Sequence, residues 1–336
     1  MKEGSIIMIR FAVIGTNWIT EQFIQAAQET EEFVLAAVYS RTEEKGREFA
    51  DKWAIPHLYT DLERLAQSKE FDAVYIASPN SFHAQQAIVC LNHGKHVLCE
   101  KPIASNTSEL RDMIAAAQQN KVLLMEALKT TLMPNFQAIQ ENVTKIGKVR
   151  RYFASYCQYS SRYDAYRQGT VLNAFNPTFS NGGLMDLGIY CIYPLVVLFG
   201  KPLSVQASGV MLESGVDGEG SILLRYEEMD AVIMYSKITF SNVSSEIQGE
   251  DGNIVVDKIS QPSKVELHYR DGRTEDITQP QVSNTMLYEV KEFIRLIQQG
   301  ELESKINSYE NSLAVMDIMD KTREQLGLIY PADHRG

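Results

Sequence analysis

The chain has 336 residues, 44% of them apolar and 22% charged, and carries a formal net charge of −11 at pH 7. A single core stops growing at roughly 250–300 residues, so two domains are expected. The acidic balance, without any Lys/Arg-rich block, argues against a nucleic-acid partner.

No apolar run approaches the ~20 residues that span a bilayer, and the opening MKEGSIIMIRFAVIG leads into a strand-and-turn pattern rather than a small-residue cleavage site. A soluble cytoplasmic protein is expected. The strand pattern starts only at about Ile7, which leaves Met8 as a second candidate start beside Met1. Cys90, Cys99, Cys157 and Cys191 are widely spaced with no C-x-x-C pair, so neither a disulfide framework nor a metal site is indicated.

From Ile7 to about Leu124, short β-branched runs alternate with amphipathic stretches, the rhythm of βαβ units over a parallel sheet. The strands are read as IIMIRFAVIG, FVLAAVYS, the segment before Tyr59, DAVYIAS, HVLCEK and VLLME. Thr60 with Glu63 and Asn106 with Glu109 have capping-box spacing, and Gly94 stands where a helix would end in a left-handed residue. A dinucleotide-binding domain over 1–124 is the expected result.

After Met125 the rhythm changes. One helical stretch near Asn135–Thr144 precedes alternating segments that read as antiparallel strands: RRYFASYCQYS, LSVQASGVML, GSILLRYEE, DAVIMYSKITF, SSEIQGEDG and KVELHYR. Two helices close the chain, Leu287–Gln299 and, behind an Asn307/Glu310 box, Tyr309 to about Leu326. The expected fold class is therefore α/β: a doubly wound parallel sheet over 1–124, then an α+β domain over 125–336 with a large, mostly antiparallel open sheet. An open sheet face needs cover, so a homo-oligomer, dimer or tetramer, is expected through it.

The first strand runs into Gly15-Thr16-Asn17-Trp18-Ile19-Thr20 and then an amphipathic helix. In the dinucleotide turn G-x-G-x-x-G the glycines make the bend, admit the pyrophosphate and let helix and strand pack. Only Gly15 remains here. Asn17 tolerates left-handed backbone in place of the second glycine, and Thr20 would set helix and strand slightly apart. The second strand ends in Tyr39-Ser40-Arg41, with no carboxylate where an NAD ribose is read. A hydroxyl and a guanidinium, with Lys45 nearby, suit a 2′-phosphate, hence NADP, with NAD as the alternative if Arg41 only lies over adenine.

The most specific stretch is DAVYIASPNSFHAQQAIVCLNHGKHVLCEKPIA, residues 72–104, with Ser78-Pro79-Asn80, His83, Gly94-Lys95-His96-Val97 and Glu100-Lys101-Pro102. A strand ending in Glu-Lys-Pro puts a lysine at the carboxyl edge of a parallel sheet, where ligands of such sheets bind. An ammonium there can hand a proton to, or take one from, a substrate oxygen, with its pKa lowered by partial desolvation. His83 stands between two roles, ligand contact or turn cap; His93 and His96 read as structural. Further on, Gly182-Gly183-Leu184-Met185-Asp186-Leu187-Gly188-Ile189-Tyr190 places Asp186 and Tyr190 at i, i+4, one face of a helix.

These motifs resemble the Gfo/Idh/MocA oxidoreductases, named for glucose-fructose oxidoreductase and inositol dehydrogenase. The resemblance covers almost the whole chain, MEALKTTLMPNF and EIQGEDGNIVV included. It implies an NAD(P)-dependent dehydrogenase or reductase of a sugar or diol, with Lys101, Asp186 and Tyr190 catalytic and a Lys-Pro bond that is often cis. It further implies cofactor contacts from Gly15, Thr16, Asn17, Trp18, Ile19, Ser40, Arg41, Lys45, Ser78, Pro79, Asn80, His83, Glu100 and Lys101. Tyr190 replaces the histidine of inositol dehydrogenase-like members and is similar to the dihydrodiol and aldose dehydrogenase branch. Lys129 and Thr130 stand near where many members carry an aromatic/Arg pair. Two other functions remain open on the sequence: an NAD-dependent glycosidase of the same fold, and a dinucleotide-binding sensor without catalysis.

Overall fold

The computed structural model describes residues 8–334; the expected strand start at Ile7 and the choice between Met1 and Met8 fall on or beside residues outside that range. Six strands build the first sheet: β1 (Ile9–Ile14), β2 (Phe33–Tyr39), β3 (His57–Tyr59), β4 (Ala73–Ile76), β5 (His96–Glu100) and β6 (Leu124–Ala127). The helices between them are α1 (Trp18–Ala27), α2 (Glu43–Trp53), α3 (Leu62–Gln67), α4 (His83–Asn92) and α5 (Thr107–Asn120). The strand order is β3-β2-β1-β4-β5-β6 and every pairing is parallel. The order reverses at β1, so the carboxyl ends of β1 and β4, in register at Ile14 and Ile76, open the crevice where such sheets take ligands.

The second sheet follows α6 (Pro134–Asn142) and contains β7 (Val149–Cys157), then, after α7 (Tyr163–Arg167), a π turn over Leu184–Gly188 and α8 (Ile189–Phe199), the strands β8 (Ser204–Met211), β9 (Asp217–Arg225), β10 (Asp230–Ser236), β11 (Ser245–Gly249), β12 (Gly252–Val256), β13 (Val265–Tyr269) and β14 (Thr274–Asp276). Helices α9 (Met286–Gln299) and α10 (Tyr309–Leu326) end the chain. The sheet order is β14-β13-β12-β11-β7-β10-β9-β8. Its pairings are antiparallel except β7 with β10, which run parallel in the middle of the sheet, the one exception within a sheet otherwise antiparallel as expected. Alternation sets the faces: Ile222, Leu224, Ala231, Ile233 and Tyr235 are buried, whereas Leu223 is exposed.

Two compact units result, and their boundary is not the single one expected at 124/125. The first comprises the chain up to Ala104, Ser108–Lys129 and Val282–Tyr309; the second holds Ser105–Thr107, Thr130–Gln281 and the chain from Glu310. Helix α9 returns to the first unit because its apolar face belongs to that core. Phe293 packs 5.9 Å from Phe11 of β1, ring centroid to centroid, and Phe11 also meets Phe23 and Phe33. Asn284, just before α9, donates to the Gln22 carbonyl of α1 at 2.8 Å.

Two local expectations, the cap of α3 and the lack of an apolar run of membrane-spanning length, change for chemical reasons. Helix α3 is capped by Asp61, whose Oδ1 accepts from the Arg64 amide at 2.8 Å, and not by Thr60. Asn307 donates its amide to the carbonyls of Glu126 and Leu128 at 3.0 and 3.1 Å, tying the chain to the end of β6, while Glu303 accepts from the first-turn amide of Tyr309 at 2.7 Å. The run Pro177–Phe199 does have the length and apolar composition to cross a membrane. It is broken into 3-10, π and α segments and 72% of its apolar window is buried, as a core helix requires. Gly94 ends α4 with φ +74°, as expected.

Candidate active site

At the end of β1 the chain bends at Gly15, φ +110°, where a Cβ would lie 2.8 Å from the Ala77 carbonyl oxygen. Only glycine lets the loops after β1 and β4 touch in this way. Asn17 is not left-handed; its φ and ψ of −103° and 176° are extended. Its side chain caps α1, Oδ1 accepting from the amides of Ile19 and Thr20 at 3.1 and 3.2 Å, while Nδ2 donates to the Ala77 carbonyl at 2.7 Å. One asparagine thus supplies cap and cross-tie where the usual turn uses glycine. Trp18 is 65% exposed beside it, so the backbone of Thr16–Trp18 and the positive end of α1 lie at the surface. The pyrophosphate of a nicotinamide dinucleotide fits that turn.

Beyond β2, Ser40 is buried and its Oγ accepts from the Thr42 amide at 3.4 Å, so its hydroxyl serves the local turn. Arg41 and Lys45 are exposed, with the Arg41 guanidinium 5.7 Å from the centroid of the Phe82 ring. After β4, Ser78 donates to Gln86 Oε1 at 2.6 Å; Pro79 precedes a 3-10 turn that opens with Asn80 and leads to His83 at the head of α4.

His83 is 1% exposed. Its Nδ1 lies 2.9 Å from the Pro102 carbonyl and Nε2 2.8 Å from the Ser78 carbonyl. Burial lowers its pKa, opposed by these two carbonyls. The imidazole is therefore a clamp between the turn after β4 and the turn after β5. The peptide from Lys101 to Pro102 in that second turn is cis.

Around Lys101 the first unit gathers ionisable groups from four elements. Tyr75 of β4, stacked on Phe23 at 3.8 Å, donates its hydroxyl to Glu100 Oε1 at 2.5 Å. Burial raises the pKa of Glu100, opposed by the Tyr75 hydroxyl and by the charges of Lys101 and Lys129. Burial lowers that of Lys129, opposed by Glu289 and Glu100. Glu289, in the first turn of α9, is 1% exposed and held well above the ordinary carboxylate range by burial first and the Glu100 charge second. Of these, sequence reasoning missed Glu289, although a signal existed: it interrupts the apolar stripe of Met286, Val290 and Phe293 at helical spacing.

In the second unit, Asp186 falls inside the π turn and Tyr190 in α8, so ideal α-helical spacing is not the geometry that relates them. Single π turns are frequent at functional sites. Asp217, fully buried, accepts from the Gly183 and Leu184 amides at 3.0 and 2.7 Å and so anchors the start of this turn. Asp217 and Tyr235 explain the glycines: a methyl group at Gly182, φ +148°, would overlap the Asp217 Oδ1, and one at Gly183 would press on the Tyr235 ring at 3.1 Å. Asp186 Oδ2 lies 2.9 Å from Lys237 Nζ. That lysine is buried, donates to the Ala174 carbonyl at 3.0 Å and sits 5.2 Å from the Phe175 ring centroid. Tyr190 is half-buried and meets Tyr156 edge-on at 5.7 Å. Lys237 continues the inward alternation of Ala231, Ile233 and Tyr235, the signal by which the sequence could have revealed it; nothing in the sequence marks Asp217.

A dinucleotide turn, a lysine at the rim of a parallel sheet and an open second sheet define an oxidoreductase of the Rossmann type. Residues 9–128 match the model of the oxidoreductase family with NAD-binding Rossmann fold, and 136–255 that of the GFO/IDH/MocA C-terminal domain. The chain belongs to the Gfo/Idh/MocA family. It is 57% identical to scyllo-inositol 2-dehydrogenase (NADP(+)) of Bacillus subtilis (strain 168), over 97% of this chain and 99% of that one. It is 28% identical to trans-1,2-dihydrobenzene-1,2-diol dehydrogenase of Mus musculus, again over 97% and 99%. Among solved structures, an aldose-aldose oxidoreductase of Caulobacter crescentus superposes with TM-score 0.84 at 21% identity, covering 95% and 97% of the two chains.

Gly182→Ala is expected to lower the unfolding free energy by more than about 1 kcal/mol, since it combines strained backbone with a clash. A urea-denaturation midpoint equal to that of the parent would contradict the assigned role of Asp217.

Proposed function

We propose that this chain is a soluble, cytoplasmic NADP-dependent dehydrogenase that interconverts a ring alcohol of a polyhydroxylated substrate, a cyclitol such as scyllo-inositol foremost, with the matching ketone. The observation that carries this reading is the 57% identity, along nearly the full length of both chains, to a scyllo-inositol 2-dehydrogenase that uses NADP. Bound nicotinamide supplies the hydride acceptor for oxidation and the hydride donor for reduction.

The chain's own residues handle the proton and the geometry. Lys101 as free amine takes the hydroxyl proton during oxidation, and as ammonium returns it during reduction. Three features support this role: its place one residue beyond β5 at the carboxyl rim of the sheet, the His83 clamp on the following turn, and the influence of its charge on Glu100. Asp186, in contact with Lys237, accepts a hydrogen bond from a substrate hydroxyl and orients it. Tyr190 donates to the same substrate through its phenol. Arg41 and Lys45, exposed at the head of α2, favour the 2′-phosphate of NADP. Gly15, Thr16, Asn17, Trp18 and Ile19 line the pyrophosphate turn, while the backbone around Ser78, Pro79 and Asn80 and the carboxylate of Glu100 shape the floor under the nicotinamide. Copies of the chain associate through the open face of the second unit's sheet, where Val210 and Leu223 are exposed.

Lys101→Ala is expected to reduce kcat for scyllo-inositol oxidation by roughly 10²–10⁴-fold, the usual contribution of general acid–base catalysis. Turnover at the parental rate would remove Lys101 from the chemistry. Loss of one charge-assisted contact is worth about 1.5–3 kcal/mol, so Arg41→Ala should weaken NADP binding roughly 10–100-fold and spare NAD; equal weakening of both would place Arg41 on adenine. Light scattering of the purified protein should give a dimer or tetramer that Leu223→Glu dissociates, and a monomeric parent would refute the association.

A further inference from the structure

Glu289 is the one acid of the first unit's buried cluster whose carboxyl oxygens both lack a hydrogen-bond partner among the described residues. A buried carboxylate without hydrogen bonds or a paired cation is costly, and such a group lowers that cost by holding a proton. The neighbours that face it come from three other elements: the Tyr75 phenol of β4, the Glu100 carboxylate at the end of β5 and the Lys129 ammonium just after β6. Glu100 and Lys129 also feel the charge of Lys101. Two groups thus connect Glu289 electrostatically to the lysine.

The charges of these four groups must balance together. With Glu100 ionised and Lys129 protonated, those two cancel. If Glu289 then holds its proton, the cluster is neutral only when Lys101 is a free amine, the form that accepts a proton. If Glu289 is ionised, the cluster is neutral only when Lys101 is an ammonium, the form that donates one. Net charge in a poorly solvated cluster is disfavoured, so the two ionisations are linked.

We propose that Glu289 is a positioning residue that sets the protonation state of Lys101: it stays a neutral acid while Lys101 is an amine, and loses its proton to solvent when Lys101 becomes an ammonium. The inference rests on the proton-transfer role of Lys101 and adds to it a regulator that touches neither substrate nor cofactor. It also assigns the α9 helix, covalently distant from β5, a part in the chemistry of the first unit.

The test uses the full chain with two readouts. Infrared spectra of the protein without substrate, at neutral pH, should contain the carbonyl stretch of a protonated carboxylic acid that disappears in Glu289→Gln and persists, displaced, in Glu289→Asp. In the pH profile of kcat for ketone reduction, which needs Lys101 as an ammonium, Glu289→Gln removes the carboxylate that forms beside that ammonium. The alkaline limb should move to lower pH by roughly one unit, the size of shift that one neighbouring charge produces, and Glu289→Asp should restore most of it. A missing band in the parent, or a Glu289→Gln profile that superimposes on the parental one, overturns the proposal. Should Glu289→Gln fail to fold, the parental band and its displacement in Glu289→Asp decide the matter alone. Lys101→Ala separates the two levels: if it retains turnover with the parental pH profile, the role of Lys101 fails; if it is inactive while Glu289→Gln leaves the profile unmoved, only the Glu289 inference fails.

Discussion

The structure depends on one electrostatic constraint: a glutamate and a lysine stand side by side where a buried parallel strand reaches its carboxyl end. Strands β1, β4 and β5 are almost wholly apolar and inaccessible, so charge can appear only at their rim. There Glu100 must be compensated, and the Tyr75 hydroxyl at 2.5 Å together with the charges of Lys101 and Lys129 does so. Removing any one partner would leave a buried charge without compensation, which costs several kcal/mol, far more than the pair contributes when intact. The His83 clamp on the Pro102 carbonyl fixes the turn beyond the lysine, so the backbone that carries Lys101 is restrained. A proton-transferring amine benefits from such restraint because its reach to the reacting oxygen is then set before substrate arrives.

The second unit applies the same physics with other residues. Asp217 is buried with two backbone amides as its partners and fixes where the glycine-rich segment begins. Lys237, buried under a strand's inward face, meets Asp186 in a π turn. In both units a buried ionic group organises loop backbone, and the residue proposed to touch a ligand is its neighbour in sequence or in space. The glycines of the segment answer this packing: Gly182 and Gly183 are the positions where Asp217 and Tyr235 leave no room for a Cβ.

Much of this was legible in the residues. The periodicity from β1 to β6 located every strand of the first sheet, and Glu100-Lys101-Pro102 and the 182–190 segment carried the likeness to the family because their spacing is unusual for chance. What escaped has a physical reason in each case. Asn17 was legible as a glycine substitute but not as a cap with an extended backbone, since both uses favour asparagine. The parallel pairing of β7 with β10 leaves no trace in alternation, which reports faces and not direction. Helix α9 belongs to the unit that begins the chain, and a linear boundary cannot express a segment that returns. Asp217 and Glu289 matter through burial among residues distant in sequence, which composition and period do not encode.

The most direct test of the account is Lys101→Arg. Arginine keeps the positive charge and most of the length but does not give up its proton in proteins, so it separates charge from proton transfer. With NADP affinity confirmed as parental, oxidation of scyllo-inositol by Lys101→Arg should fall to the level of Lys101→Ala at every pH. Substantial turnover with the parental pH dependence would contradict the account, because the amine would then be serving as a fixed charge.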